Sequence, residues 1–343
     1  QGIATAIVSA SAPAVTTAPM TAAQKQLWFL GQLGDAAALA YNQFCAFRLQ
    51  GVLHHPTLQQ ALQQIVARHE ALRTTFDREG EQQQIHTVIA FELARVDFSA
   101  LQPAEQEAAV AAWWQTEASR AFDLQQGPLF AAYLLQLTPL EHLLVFKGHH
   151  IIIDGWSWNL LVQELQTLYT AHDNGTVASL PSPLPFREYT ERQRAQRHNP
   201  TMMVHADYWL RQFADGIPVL DLPFDRFRSA TNPYQGARQT LRLDAKQVSN
   251  LKTFSRQQNC TFFMTLFAAF TTLIHRLTSQ NDFVVATAVS GRTEAERTGL
   301  IGYCSHLLPI RHQLDPQRPF TEHLAQTRRR LLDGYEHEAY PFA

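Results

Sequence analysis

Between Lys147 and Leu160 the chain reads KGHHIIIDGWSWNL, with two adjacent imidazoles, three isoleucines, a carboxylate and an Asp-Gly step. Imidazole and carboxylate are the side chains of acid–base catalysis and of metal binding, and few other residue types do either near neutral pH. In a strand, neighbouring side chains point to opposite faces, so His149 and His150 address one site only where the strand ends between them. One of the pair is then expected to be structural. A metal centre would need His150 and Asp154 with a third ligand, yet no HxxxH, HExxH or Cys pair lies nearby, and no metal is expected. A plain core reading has the histidines bonded to backbone and Asp154 capping a helix that begins near Trp156. A carboxylate beside so apolar a run must be paired or capped if it is buried. From the residues alone, acid–base chemistry and satisfied core both remain open.

The elements that would position this stretch alternate between strand and helix. Residues 57–72 (TLQQALQQIVARHEAL) put Leu58, Ala61, Leu62, Ile65, Val66 and Leu72 on one helical face, behind Pro56 at a position that suits a helix start. Strand-length apolar runs occupy 129–137 and 143–147, and 160–171 returns to a helical period before AHDNGT breaks it. The His-His…Asp-Gly stretch therefore falls between a strand and a helix. Later come a strand over 239–243, a helix over 261–275, a strand over 283–289 and a turn at Ser290-Gly291-Arg292. No short-period repeat occurs, which disfavours a solenoid.

With 343 residues, 45% of them hydrophobic and 17% charged, the chain is long enough for two globular lobes. A formal net charge of -2 provides no field to gather nucleic acid or anionic lipid, so neither nucleic acid nor membrane is an expected partner. The longest nearly apolar run, 261–274, falls short of the ~20 residues that span a bilayer. Cys45, Cys260 and Cys304 are odd in number and widely spaced, which points away from a disulfide framework and towards a reducing cytoplasm. The Ala/Ser/Thr/Pro-rich residues 1–19 read as an interdomain linker. The Trp113-Trp114 and His54-His55 pairs read as helix packing and a solvated turn, respectively.

His149-His150-Ile-Ile-Ile-Asp154-Gly155 resembles the HHxxxDG signature of condensation domains of nonribosomal peptide synthetases, a family similar in fold to chloramphenicol acetyltransferase. Other segments follow in that family's order. These are TAAQKQLWFL at 21–30, RHEALRTTF at 68–76, FDLQQGPL at 122–129, PFREY at 185–189, IGYCSHLLPIR at 301–311 and HEAYPF at 337–342. The resemblance covers nearly everything after residue 20. It implies an α/β (α+β) fold with two acetyltransferase-like lobes in a V-shaped pseudo-dimer, the second incomplete at its C-terminus. The expected division is 20–175 for the first lobe, 176–205 for a connection and 206–343 for the second lobe.

The same resemblance implies an acyltransferase. A donor acyl thioester and an acceptor aminoacyl thioester, each on a phosphopantetheine arm of a carrier-protein domain, would meet in a tunnel and form an amide. Carrier domains and neighbouring assembly-line domains are the implied partners, and no cofactor resides in the domain itself. His150 would be catalytic. His149, Asp154, Arg73 and Arg68 would support it, with Asp154 ion-paired to an arginine, Arg73 in preference to Arg68. Gly155, Trp156 and Ser157 would border the acceptor arm, and Ser305 and His306 the substrate channel. Where many members carry Phe-Val-Asn-Thr, this chain has Cys304-Ser305-His306-Leu307, which resembles versions from hybrid polyketide and peptide assembly lines. An epimerisation domain, which shares HHxxxDG and often a Ser-Trp like Ser157-Trp158, and a noncatalytic recruitment platform of the same fold are the alternatives. A coenzyme A-dependent acyltransferase is disfavoured, because no DFGWG segment occurs.

Overall fold

The structure is a computed structural model that describes residues 15–196, 199–226, 234, 236–292 and 295–340. The chain divides into two units, 1–195 with 292–304 and 196–291 with 305–343. In the first, the order is β1 (Val15–Pro19), α1 (Ala22–Gly31), α2 (Asp35–Ala40), β2 (Asn42–Gln50) and α3 (His55–Arg68). It continues with β3 (Thr74–Phe76), β4 (Gln82–His86), β5 (Leu93–Asp97), α4 (Pro103–Ala118), β6 (Phe130–Thr138), β7 (Glu141–His149), α5 (Gly155–Asp173) and α6 (Phe186–Gln196). A four-stranded sheet has the order β2-β7-β6-β5, antiparallel except where β5 and β6, joined through α4, run parallel. A smaller sheet, β1-β4-β3, stands beside it.

The apolar face read from residues 57–72 is the one α3 buries. Leu58, Ala61, Leu62, Ile65 and Val66 join Leu161, Leu165 and Leu168 of α5 and Leu134, Leu144 and Phe146 of the sheet in one core. Alternation along β7 then assigns Leu144 and Phe146 to the α3/α5 face and Lys147 and His149 to the other. On that second face α4 packs, with Trp113 ring-to-ring against Tyr133 at 5.1 Å and Trp114 against Phe44 at 5.4 Å. The Lys147 ammonium donates to the carbonyls of Glu117 (2.9 Å) and Arg120 (2.8 Å) around the end of α4, so a buried cation satisfies acceptors the helix leaves open.

The second unit holds α7 (Pro200–Gln212), α8 (Ala245–Gln257), α9 (Phe262–Thr278), β8 (Asp282–Val289), β9 (His306–Gln313) and α10 (Phe320–Glu336). Its two strands pair antiparallel, from Asp282 opposite Gln313 to Val289 opposite His306. Trp209, Met264, Phe267, Ala268, Leu308, Ile310, Leu324 and Leu331 form its core. Among the described residues no single helix is long and apolar enough to cross a membrane; α8 and α9 meet that test only as a pair bent by 99°.

Three expectations change. Residues 15–19 are not linker: they form β1, because their extended run pairs with β4 from Val15 opposite His86 to Pro19 opposite Gln82; the earlier part of that linker lies outside the described residues. The boundaries at 175 and 206 move, since residues 176–195 and 292–304 belong to the first unit, where Phe186, Tyr189, Leu300 and Cys304 share a core with Ala71. Residues 239–243 carry no strand; their side chains are exposed, with no sheet to bury them. Of the HEAYPF segment, Pro341 and Phe342 lie outside the described residues.

Candidate active site

β7 ends at His149, and residues 150–152 form a turn. His149 is 2% exposed, with Nδ1 accepting from the Ile151 N–H at 3.2 Å. Burial, with a smaller effect from His150, pushes its imidazole down to about 3, so it is neutral and structural at physiological pH. Ile151, Ile152 and Ile153 are all buried and anchor the turn in the core. On the helix side Gly148 allows Ile153 and Trp158 to close over the strand, for a Cβ there would lie 2.9 Å from Ile153 and 3.1 Å from the Trp158 ring.

His150 is partly exposed. Its backbone N–H donates to the Tyr41 carbonyl at 2.8 Å, and its ring lies 4.8 Å from that of Tyr303. Nδ1 sits 2.8 Å from the Ile153 carbonyl oxygen. A carbonyl only accepts, so in its neutral form the ring carries its proton on Nδ1 and its lone pair on Nε2.

Asp154 is the N-cap of α5, accepting from Ser157 N–H at 3.0 Å. Its ion-pair partner is Arg292. Nη1 reaches Oδ2 at 2.7 Å and Nη2 reaches Oδ1 at 3.1 Å, with both side chains 0% exposed. Burial alone would raise this carboxyl; the Arg292 charge, together with hydrogen bonds from Arg292 and Ser157, overcomes it and holds the group below the usual carboxylate range. Cys304 N–H donates to Oδ2 at 3.1 Å, and Arg292 Nη2 also reaches the carbonyls of Leu300 (3.1 Å) and Gly302 (3.2 Å). The segment 300–304 is thereby fastened beneath the start of α5. The Cys304 thiol is pushed up to about 12, first by burial, and is therefore no nucleophile at neutral pH.

The expected pairing with Arg73 or Arg68 is thus corrected. Arg68 donates to Glu164 at 3.1 Å and to the Pro181 carbonyl, and Arg73 Nη1 donates to the His86 carbonyl; both are held by other elements of the unit. The sequence carried one sign of Arg292, its place directly after an apolar strand at a Ser-Gly turn. Ser157 is corrected as well. It is fully buried, its hydroxyl lies 2.7 Å from Asp154 Oδ1 and accepts from Gly302 N–H at 3.1 Å, and its backbone N–H is used by the cap, so it borders no passage. Trp156 is 44% exposed and donates from Nε1 to the Thr298 carbonyl at 2.9 Å. Beside it opens a cleft of about 650 Å³ lined by Phe47, Trp156, Asn159, Leu160, Gln163 and Thr298, among others. Gly155 is exposed, and an added Cβ there would meet nothing within 4 Å. Ser305 and His306 belong to the second unit, where His306 Nε2 lies 2.9 Å from the Glu338 carbonyl oxygen.

A family model described as "Condensation domain" matches residues 14–343. The chain belongs to the condensation-domain family. Peptide-bond formation in nonribosomal peptide synthetases is the activity of that family. The domain is 38% identical to a linear gramicidin synthase of Brevibacillus parabrevis over 94% of its length, and 32% identical to a plipastatin synthase of Bacillus subtilis over 95%. It spans 4% and 9% of those two multidomain relatives. Among solved structures, the starter condensation domain of rhizomide synthetase superposes with a TM-score of 0.84 at 24% identity, covering 95% of this chain and 73% of that one. The X-domain of teicoplanin biosynthesis, solved with OxyB, superposes at 0.81 with 25% identity, covering 96% and 73%.

Two outcomes follow from this geometry. Replacing Arg292 by Leu strands a buried carboxylate and is expected to cost about 3 to 5 kcal/mol in urea unfolding; the double variant Asp154→Asn/Arg292→Leu should recover part of that loss. His149 has a folded pKa of about 3, below the ordinary 6.5, so the unfolded chain binds a proton that the folded chain refuses. Its contribution is complete above pH 6.5 and is lost as pH falls towards 3, with a slope of about 1.4 kcal/mol per pH unit. Urea midpoints measured from pH 7 to 5 should fall less steeply for His149→Asn than for the parent.

Proposed function

We propose that this condensation domain joins a donor acyl thioester to the amine of an acceptor aminoacyl thioester, both carried on phosphopantetheine arms of partner carrier domains. The observation that carries the reading is the Nδ1 contact of His150 with the Ile153 carbonyl, which leaves Nε2 as a basic nitrogen on a partly exposed ring. The amine nitrogen attacks the thioester carbonyl, the C–N bond forms and the C–S bond breaks. One amine proton passes to Nε2 and from there to the departing thiolate.

The magnitudes decide which effect dominates. An α-amino group with a reference pKa of about 7.7 to 8.0 is already neutral in roughly a tenth of molecules at pH 7, so no strong base is required. Acid–base help supplies about 10² to 10⁴ in rate, whereas correct positioning corresponds to an effective molarity of about 10⁵ to 10⁸ M. His150 therefore acts chiefly by orienting the amine and accepting its proton. The arms are substrates brought by the carriers, and no resident cofactor is needed. Cys45, Cys260 and Cys304 form no disulfide among the described residues, which fits a reducing compartment, the cytoplasm.

The test loads candidate acyl and aminoacyl groups onto carrier domains and follows transfer by intact-protein mass spectrometry. A mass gain on the acceptor equal to the donor acyl group supports amide formation; an inverted stereocentre at unchanged mass would instead identify epimerisation. His150→Ala should lower the single-turnover rate by about 10² to 10⁴ while leaving the unfolding midpoint unchanged, because the ring is only partly buried. A near-parental rate would remove His150 from the chemistry. Gly155 begins α5 with open space at its Cβ, so Gly155→Ala should be neutral or stabilising by up to about 1 kcal/mol. Gly155→Leu should nevertheless raise KM for the loaded acceptor if the arm runs along this backbone; an unchanged KM would place the arm elsewhere.

A further inference from the structure

At the opposite end of β7 from His150, the register aligns Asp97 with Gln136 and Gln136 with His142 across three adjacent strands. These three side chains share the face that α3 covers, and Arg95, two residues before Asp97, points the same way. His55, the first residue of α3, lies edge-on to His142 with ring centroids 5.6 Å apart. Beside His55 is a cavity of about 250 Å³ lined by His55, Arg95, Val96, Asp97, Leu134 and Gln136, with His142 behind the His55 ring. That volume lies below the roughly 300 Å³ at which pockets for larger organic ligands begin, so the space suits an ion.

Two features of this place are costly unless something fills it. Among the described residues the buried Nδ1 atoms of His55 and of His142 have no hydrogen-bond partner, and His142 is 2% exposed. In addition, the N-terminus of the 14-residue α3 has no side-chain cap, and Pro56 can supply no N–H, so the positive end of the helix is left for an outside acceptor. Arg95 is exposed at the rim. The opposing charge is Asp97, whose Oδ1 is engaged by the Ser99 N–H at 2.8 Å.

We infer that this cavity is an oxyanion site of the phosphate class, held by Arg95, by the imidazole of His55 and by the open start of α3, with the His142 ring packed behind His55. Burial first, and then the Arg95 charge, lowers the pKa of both histidines, with His142 and His54 adding to the effect on His55; Asp97 acts the other way on His142. An anion among them reverses that balance and draws protons onto the rings, so binding tightens as pH falls. The site is about 24 Å along β7 from the catalytic turn, taking seven residues at about 3.4 Å each. Its occupancy is therefore independent of the acyl-transfer reading.

The experiment titrates the intact chain with inorganic phosphate at constant ionic strength, followed by calorimetry and thermal unfolding. Saturable binding is expected, with a midpoint rise of about 2 °C once phosphate exceeds its Kd tenfold. Affinity should increase from pH 8 to pH 6. Arg95→Gln, at an exposed position, and His55→Gln should each weaken binding at least tenfold, Asp97→Asn should tighten it, and amide formation by Arg95→Gln should be unchanged. Glycerol phosphate in a parallel arm separates a free ion from a phosphate ester, and binding of either upholds the site. Absence of saturation, or equal binding by Arg95→Gln, overturns it, as does stabilisation by zinc that EDTA reverses in place of a phosphate response.

Discussion

A buried ion pair at the start of one helix holds the site together. Asp154 and Arg292 are fully shielded from water, and an isolated charge there would be costly. Every polar neighbour is also used: the cap to Ser157 N–H, Cys304 N–H on the second carboxylate oxygen, and the carbonyls of Leu300 and Gly302 on the guanidinium. An apolar pair of similar volume would remove the desolvation cost but would leave those backbone groups without partners. That accounting favours the ion pair as a register device, fastening a segment 138 residues distant in sequence to the turn that carries His150. Tyr303 reaches the His150 ring because its neighbours at 302 and 304 are fixed in this way.

β7 divides its work by strand geometry. Its alternate side chains serve two cores, one with α3 and α5 and one with α4, and the strand gives up this alternation only after His149. The three isoleucines that follow are almost completely buried, so the turn is held by apolar contacts while its single partly exposed ring is aimed by one hydrogen bond, to Ile153. Mobility at 150 is limited by the core beneath it, which is where a positioning catalyst gains most.

How much of this was legible in the sequence follows from the range of the interactions. Which histidine is structural was carried only by the resemblance, and the Asp154 cap was one of two open readings; the strand end between His149 and His150 and the helical face of α3 rest on neighbours within a few residues, and both were readable from spacing. The arginine paired with Asp154 was not, because Arg68, Arg73 and Arg292 are chemically equivalent in a sequence and only the packing of Arg292, Leu300 and Cys304 against α5 and α6 distinguishes them. Ser157 misled for a related reason: its place at the helix start suggested a border to the acceptor arm, and only the Gly302 backbone, distant in sequence, engages its hydroxyl. Residues 15–19 looked like linker by composition, yet a backbone pairs through groups that composition does not report. The domain boundary failed where the chain returns to the first unit for 13 residues, a detour that carries no compositional mark.

The fold by itself does not separate a catalyst from a recruitment platform, since function resides in the site and not in the architecture. Local electrostatics discriminates better. For His150 to accept a proton during the reaction, its surroundings must not already carry a positive charge. His149, the nearest ring, stays neutral because burial holds its pKa near 3, and the charge of Arg292 is cancelled within its pair by Asp154. The carboxylate in turn cannot take the proton instead, because Arg292 and the helix cap keep it ionised and fully bonded. With the His149 ring and the Asp154 carboxylate each fixed in one charge state, the partly exposed His150 ring is the polar group of this turn that the proposed amide-forming reading calls on, and that reading is favoured over docking alone.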